Sequence, residues 1–373
     1  MHVERTMTFR FQHLLTPVLA GALLVGVTAC KKKDPAPADD PEEELSDVEA
    51  LRSRLTKVTG PIQEVEGLEP DRVALGERLY HDPNLSSDGT ISCASCHDIA
   101  AGGVDGEPTS PGVGGVRGGV NSPTTLNSHL NFVQFWDGRA DTLEDQARGP
   151  IENPVEMANT FDKVIEYLES EESYVEGFKK AFEDGEITDD NVVAAIADYE
   201  RTLTTPNSAF DKWLEGDDDA LTDQEFEGLK AFVEVGCTSC HTGEGLGGTM
   251  YQNMGNVNAY FDTLERKLDE NDYGRFNVTK EDKDKHRFKV PLLRNIALTG
   301  PYLHDGSVDN LEDVTRIMGY HQLGKELDDE TIENIVAFMH TLTGDAPSVD
   351  IDALDLPEPR TQNKEDEEES DEG

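Results

Sequence analysis

Cys93-Ala94-Ser95-Cys96-His97 puts two thiols and an imidazole in one short turn, and Cys237-Thr238-Ser239-Cys240-His241 repeats the arrangement further along the chain. Thiols at this spacing reach the two vinyl groups of one porphyrin and form thioethers, and the histidine that follows becomes the proximal axial ligand to iron. A single copy would also suit half of a zinc site or a redox dithiol. The repeat weighs against both: zinc would need ligands drawn together from the two copies, whereas each copy closes its own helical segment and brings its own histidine. Two covalently bound haem c groups are expected, one on Cys93, Cys96 and His97, the other on Cys237, Cys240 and His241.

Helices must present both turns. Pro70-Asp71 opens one in which Val73, Leu75, Gly76, Leu79 and Tyr80 make an apolar side before His81-Asp82-Pro83 ends it. Thr222-Asp223-Gln224-Glu225 is a capping box, and Phe226, Leu229, Phe232 and Val233 then lead into the second motif. A short helix is expected over Leu51–Val58. Thr160 caps a run through Phe161, Val164, Ile165 and Leu168, and Thr188 precedes Val192, Val193, Ile196, Ala197 and Leu203 at helical spacing. A last helix, from Asp329 through Ile332, Ile335, Val336 and Met339 to Gly344, should pack on the helix before the second motif. Strand-like alternation is scarce. The fold class is therefore mainly α: two cytochrome c-like domains, each carrying one covalently attached c-type haem. The expected divisions are a lipoprotein-type signal peptide at 1–29, an acidic, Pro-rich tether at 30–48, an N-terminal haem domain at 49–205, a C-terminal haem domain at 206–346 and an acidic disordered tail at 347–373.

Arg5 and Arg10 precede an apolar run from Leu14 to Ala29, the pattern of a secretory signal and too short for a spanning helix. Val27-Thr28-Ala29-Cys30 resembles a lipobox, which would place a lipid anchor at Cys30; an ordinary secretory signal with an incidental cysteine is the alternative. Of the five cysteines, the motifs use four and Cys30 is the fifth, so none is left for a disulfide. Covalent haem attachment and the leader agree on the periplasm or the outer surface. The net charge of -45 argues against nucleic acid and favours a basic redox partner, although solubility in a salty habitat explains it equally well.

Between the motifs, residues 101–120 read as a long Gly- and Pro-rich loop, followed by an aromatic segment that contains Trp136. With QFWDGRA at Gln134–Ala140, EDQARGPIENPVEM at Glu144–Met157 and LRNIALTGPYLHDG at Leu293–Gly306, the chain from about Leu68 to Asp345 resembles the bacterial di-haem cytochrome c peroxidases. The resemblance implies an oxidoreductase that reduces hydrogen peroxide to water at the N-terminal haem, with electrons from a small cytochrome c or cupredoxin received at the C-terminal one. It implies that His241 and Met318 are the axial pair of the receiving haem, with Met250, Met254 and Met339 as competing thioethers. Gln146 and Glu156 correspond to the peroxide-handling groups, and Trp136 to the indole between the haems. Asn121, Thr299 and Pro301 correspond to an interdomain calcium site, making calcium the further cofactor. His304 also matches, without a clear role. A homodimer is compatible with the sequence.

One position departs from the resemblance: Val113 stands where many members have the histidine that closes the N-terminal haem until the other is reduced. Either that site is open in the oxidised protein or His81 or His129 substitutes. Two other functions are weighed. A methylamine-utilisation type of oxidase acting on a partner protein uses Tyr where Met318 stands, and a non-enzymatic carrier or redox sensor has no need of Gln146 and Glu156.

Overall fold

The computed structural model describes residues 46–360. The signal, the Cys30 anchor, most of the tether and the final acidic residues lie outside the described residues.

The first half is a set of helices whose starts are written in side chains. After α1 (Asp47–Leu55), α2 (Pro70–His81) begins on a proline, where the missing N–H costs nothing. The first haem motif is itself the single turn α3 (Cys93–Cys96). Then come α4 (Leu143–Glu152), α5 (Phe161–Ser170), α6 (Glu172–Ala181) and α7 (Asp189–Thr202), with the Thr142, Thr160 and Thr188 hydroxyls accepting from the first-turn N–H groups of α4, α5 and α7. Leu75, Leu79, Tyr80, Val164, Phe178 and Ile196 meet in one core.

The second half holds α8 (Ala209–Leu214), α9 (Asp223–Val235), a two-stranded antiparallel ribbon of β1 (Tyr251–Asn253) and β2 (Arg287–Lys289), α10 (Phe276–Thr279), α11 (Leu311–Ile317) and α12 (Asp329–His340). The Thr222–Glu225 capping box forms as expected. Phe210, Leu229, Phe232, Ile335 and Phe338 make the second core, with the Phe232 and Phe338 rings 5.3 Å apart.

The two halves share one construction. A helix leading into each motif crosses the last helix of its half at a glycine: a Cβ on Gly76 in α2 would run into the Ala195 carbonyl of α7, and one on Gly228 in α9 into the Asn334 carbonyl of α12. The link between them is held by hydrogen bonds. Thr205 Oγ1 accepts from Asn127 Nδ2 at 2.7 Å and from Asn295 Nδ2 at 2.9 Å, all three residues being buried.

Both ends of the described chain pack on the half opposite to the one their sequence position suggests. Residues 49–55 pack on the second core through Leu51 and Leu55, and not on the half to which their position assigned them. Residues 347–360, read as disordered tail, lie along the first half: Asn84 Nδ2 donates to the Glu358 carbonyl at 3.2 Å, and the Arg360 guanidinium sits 3.9 Å from the Tyr167 ring centre. Sequence composition missed this strap because its contacts run to residues far away in the chain. No helix among the described residues is long and apolar enough to cross a membrane.

Candidate functional site

The second motif opens onto a cleft of about 1700 Å³, part of it open to solvent. Cys237, Cys240 and His241 line it together with Trp136 and Met318. His241 Nδ1 donates to the Leu246 carbonyl at 3.0 Å, and burial lowers its pKa, so the ring is neutral with Nε2 carrying the free lone pair. Burial also pushes the Cys237 thiol up to about 12. Met318 begins a π-helical turn, Met318–Gln322, a local widening that recurs at functional sites. Met254 and Met339 also line the cleft, but Met254 Sδ already accepts from Gln322 Nε2 at 3.6 Å.

Trp136 packs edge-on against Phe288 and its Nε1 donates to the Asn121 carbonyl at 2.9 Å. Asn121, Thr299 and Pro301 all line the cleft, so the three oxygen-bearing residues expected at a calcium site share its wall. Asn121 Nδ2 donates to the Glu107 carbonyl at 3.1 Å, which leaves Oδ1 as the free end of that amide. The run that carries Thr299 and Pro301 is fixed by Arg294, fully buried, whose Nη1 lies 2.7 Å from Asp211 Oδ1. His304 lines the cleft as well, and its Nε2 is 2.9 Å from Asp272 Oδ1.

At the first motif, Tyr80 of α2 donates its hydroxyl to the His97 carbonyl at 2.8 Å, while His97 Nδ1 donates to the Gly103 carbonyl at 3.4 Å. Burial lowers the His97 pKa and pushes the Cys96 thiol up to about 11 and that of Cys93 higher still. Gln146 is half-buried on α4. Glu156, in the turn just after it, accepts from Asn153 Nδ2 at 2.7 Å. Its carboxyl is close enough to both thiols to add to their upward shifts, and burial raises its own pKa against the opposing pull of Asn153 and Arg139. The Gly-rich loop lies directly on this segment: Val113 N–H donates to the Glu156 carbonyl at 2.8 Å, and Gly112 has no room for a Cβ against the carbonyls of Val155 and Glu156.

Of the two histidines considered as substitutes for the missing ligand, only His81 is hydrogen-bonded among the described residues. His81 Nδ1 donates to the Glu77 carbonyl of its own helix at 2.8 Å, with Tyr80 and Tyr199 against the ring. His129 is partly buried next to Arg201, its Nδ1 without a partner.

These donor sets fit haem c and not zinc. Each motif keeps its own anchored neutral imidazole beside its own pair of free, partly buried cysteines, and no three His, Cys, Asp or Glu side chains converge on a metal position among the described residues. Sequence reasoning missed three contributors: Asn153, which holds Glu156; Arg266 and Asp272, which make a chain with His304; and Lys289, buried on a predominantly apolar cleft wall. Only Lys289 had a visible signal, as a charge between Phe288 and Val290.

Residues 70–219 match the family described as di-haem cytochrome c peroxidase. A cytochrome c peroxidase of Escherichia coli is 48% identical over 285 residues, a stretch covering 76% of this chain and 60% of the relative, so this chain spans under two thirds of that protein. The cytochrome c551 peroxidase of Nitrosomonas europaea is 46% identical over 297 residues, covering 79% of this chain and 87% of the relative. Among solved structures, a MauG-like protein associated with microbial copper homeostasis superposes with a TM-score of 0.67 at 27% identity, over 82% of this chain and 96% of that one.

Proposed function

The chain belongs to the di-haem cytochrome c peroxidases, and on that premise we propose that it reduces hydrogen peroxide to water at the Cys93–His97 motif, drawing two electrons one at a time from a small cytochrome c or cupredoxin through the Cys237–His241 motif. The observation that carries this reading is Glu156: a carboxyl raised by burial, gripped by Asn153 and within electrostatic reach of both thiols of the first motif. An electron carrier would have no use for such a group there.

Cys93, Cys96 and His97 hold one haem, and Cys237, Cys240, His241 and Met318 the other; the haems supply one-electron redox chemistry and an iron coordination position for peroxide. The protein supplies proton traffic and wiring. Glu156 Oε takes the proton from one peroxide oxygen and returns it to the other, whose departure as water needs it, and Gln146 orients the peroxide by hydrogen bonding. Two further protons and two electrons complete the conversion of one peroxide to two waters. Trp136, on the cleft wall beside the second motif, carries electrons toward the first.

Calcium belongs to this reading through Asn121 Oδ1 and the oxygens of Thr299 and Pro301, of which Pro301 offers its carbonyl alone. Bound there, the ion would brace Asn121, whose carbonyl holds the Trp136 indole. Export to the periplasm, with or without an acyl chain at Cys30, follows from the leader pattern and the haem motifs.

Oxidation of a partner protein is the less supported function, because the peroxidases match at 48% and 46% identity and the methylamine utilization protein MauG of Methylorubrum extorquens at 32%. The test is peroxide-dependent oxidation of a reduced small cytochrome c by the protein carrying both haems. Turnover that survives unchanged in Glu156→Gln would refute the assignment of the carboxylate. Absence of turnover with several donors would refute the peroxidase reading.

A further inference from the structure

Lys289 closes β2 in the second half, opposite Tyr251 of β1, and its backbone N–H donates to the Trp136 carbonyl at 2.8 Å. Only 5% of the residue is exposed. It lines the cleft that holds Cys237, Cys240 and His241, and among the described residues it is the one Lys, Arg, Asp or Glu to do so. Among the described residues its ammonium makes no hydrogen bond and has no carboxylate within 4.0 Å. Asp137, the acid that bears on it electrostatically, is committed to Arg139 at 3.1 Å.

A buried cation without a counter-charge is costly, and the usual outcome in a low-dielectric site is loss of the proton. Burial accordingly brings the Lys289 ammonium down to about 7. The position makes physical sense once an anion occupies the cleft. A porphyrin bonded to Cys237 and Cys240 brings two carboxylates with it.

We infer that Lys289 is the counter-ion of a propionate of the C-terminal haem, and that this pairing keeps the potential of that haem high. The inference rests on the haem assignment at Cys237, Cys240 and His241. Its electrostatic logic is direct: an uncompensated propionate favours ferric iron, and a fixed cation in a low-dielectric site removes that bias. Because the backbone of Lys289 is bonded to that of Trp136, the same residue ties the edge of the porphyrin to the indole proposed to pass electrons between the haems. Lys289 is thus a positioning and tuning residue, separate from the axial ligands.

The experiment compares the di-haem protein with Lys289→Met, which keeps the stem and removes the charge, and with Lys289→Arg, which keeps the charge. Haem content is measured as pyridine haemochrome, and both midpoint potentials by optical redox titration. The expected result is two haems per chain in all three proteins, a lowered C-terminal potential in Lys289→Met, recovery toward the parent value in Lys289→Arg, and little movement at the N-terminal haem. An unchanged C-terminal potential in a fully loaded Lys289→Met overturns the pairing. A crystal structure of the parent di-haem protein decides the matter even if the variants do not assemble: the Lys289 ammonium within about 4 Å of a propionate oxygen of the C-terminal haem supports it. An ammonium bonded to Asp137 instead sinks it. Absence of covalent haem at the second motif in the parent would refute the underlying assignment, an outcome distinct from a loaded haem that ignores Lys289.

Discussion

The backbone N–H of Val113 donates to the backbone carbonyl of Glu156 at 2.8 Å, which joins the Gly-rich loop to the segment carrying the proposed acid-base group. Val113, at the position where the resemblance implies an iron-ligating histidine, has a side chain that cannot ligate, and His81 is held by the Glu77 carbonyl; His129 lies partly buried beside Arg201. The N-terminal haem of the fully oxidised protein is therefore expected to be five-coordinate or water-bound and open to peroxide. Electron paramagnetic resonance of the ferric protein should show a high-spin component, and turnover should begin without a lag. A wholly low-spin spectrum, with a lag abolished by half-reduction, would mean that another side chain closes the site, and substituting His81 and His129 in turn would identify it.

Glu156→Gln keeps the shape of the side chain and removes the proton carrier, so peroxide turnover should fall about 10²–10⁴-fold. The pH profile adds a sharper check. Taking the first proton requires the ionised form, so the parent loses activity as pH falls through the Glu156 pKa, which burial places above the ordinary glutamate value. The Asn153 hydrogen bond pulls in the opposite direction. Asn153→Ala should consequently move the acid limb to higher pH, and Glu156→Gln should abolish that limb. An acid limb unmoved in Asn153→Ala would show that some other group sets it.

Chelation tests the calcium reading through Trp136. Removing the ion should loosen Asn121 and with it the indole that Asn121 holds, so electron transfer between the haems should slow while both remain covalently attached. Stopped-flow reoxidation by peroxide, before and after treatment with a chelator and after calcium is restored, measures this. Rates indifferent to the ion would remove calcium from the cofactors.

The helix crossings give a stability prediction. Alanine in an exposed helix interior is favoured over glycine by about 1 kcal/mol. At Gly76 and Gly228 the sign reverses, because a methyl group there meets a backbone carbonyl of the partner helix and can be accommodated only by parting the helices. Gly76→Ala and Gly228→Ala should each destabilise by about 1–3 kcal/mol or more, and each should disturb chiefly the haem of its own half. Denaturant midpoints followed at the two haem bands measure both effects.

Local signals account for what could be read beforehand. Thr160, Thr188 and the Thr222–Glu225 box announced helices because capping is settled by neighbours in sequence, and the five-residue haem motif was legible because it occurs twice, each copy with its own histidine. The last helix stops at His340, short of the expected Gly344, since Thr341 already closes it. The meeting of Glu156 with Val113, the crossover of Leu55 to the second core and the strap ending in Arg360 were not legible, for they join residues far apart in the chain, and no local pattern says which distant partner a group will meet. Lys289 shows the same limit from the other side: its type was plain and its burial was not.

Glu200 shows how burial on α7 turns into a pH dependence. The residue is 4% exposed, its Oε2 has no partner among the described residues, and burial pushes its carboxyl up to about 8 from an ordinary 4.5, with Arg201 opposing and Glu144 adding to the rise. A raised acid pKa means that the folded protein holds the proton where the unfolded chain has lost it. Between pH 4.5 and about 8 the native state therefore binds more protons, and its stability declines as pH rises through that window. Each tenfold difference in proton affinity between the folded and unfolded chain is worth about 1.4 kcal/mol. Glu200→Gln keeps the neutral shape and lacks the charge, so its advantage over the parent should be small in acid, grow across the window and level off above about 8. Guanidinium midpoints of the two di-haem proteins at several pH values provide the measurement. A difference between them that does not vary with pH would mean that Glu200 finds a charge partner in the assembled protein and stays ionised throughout.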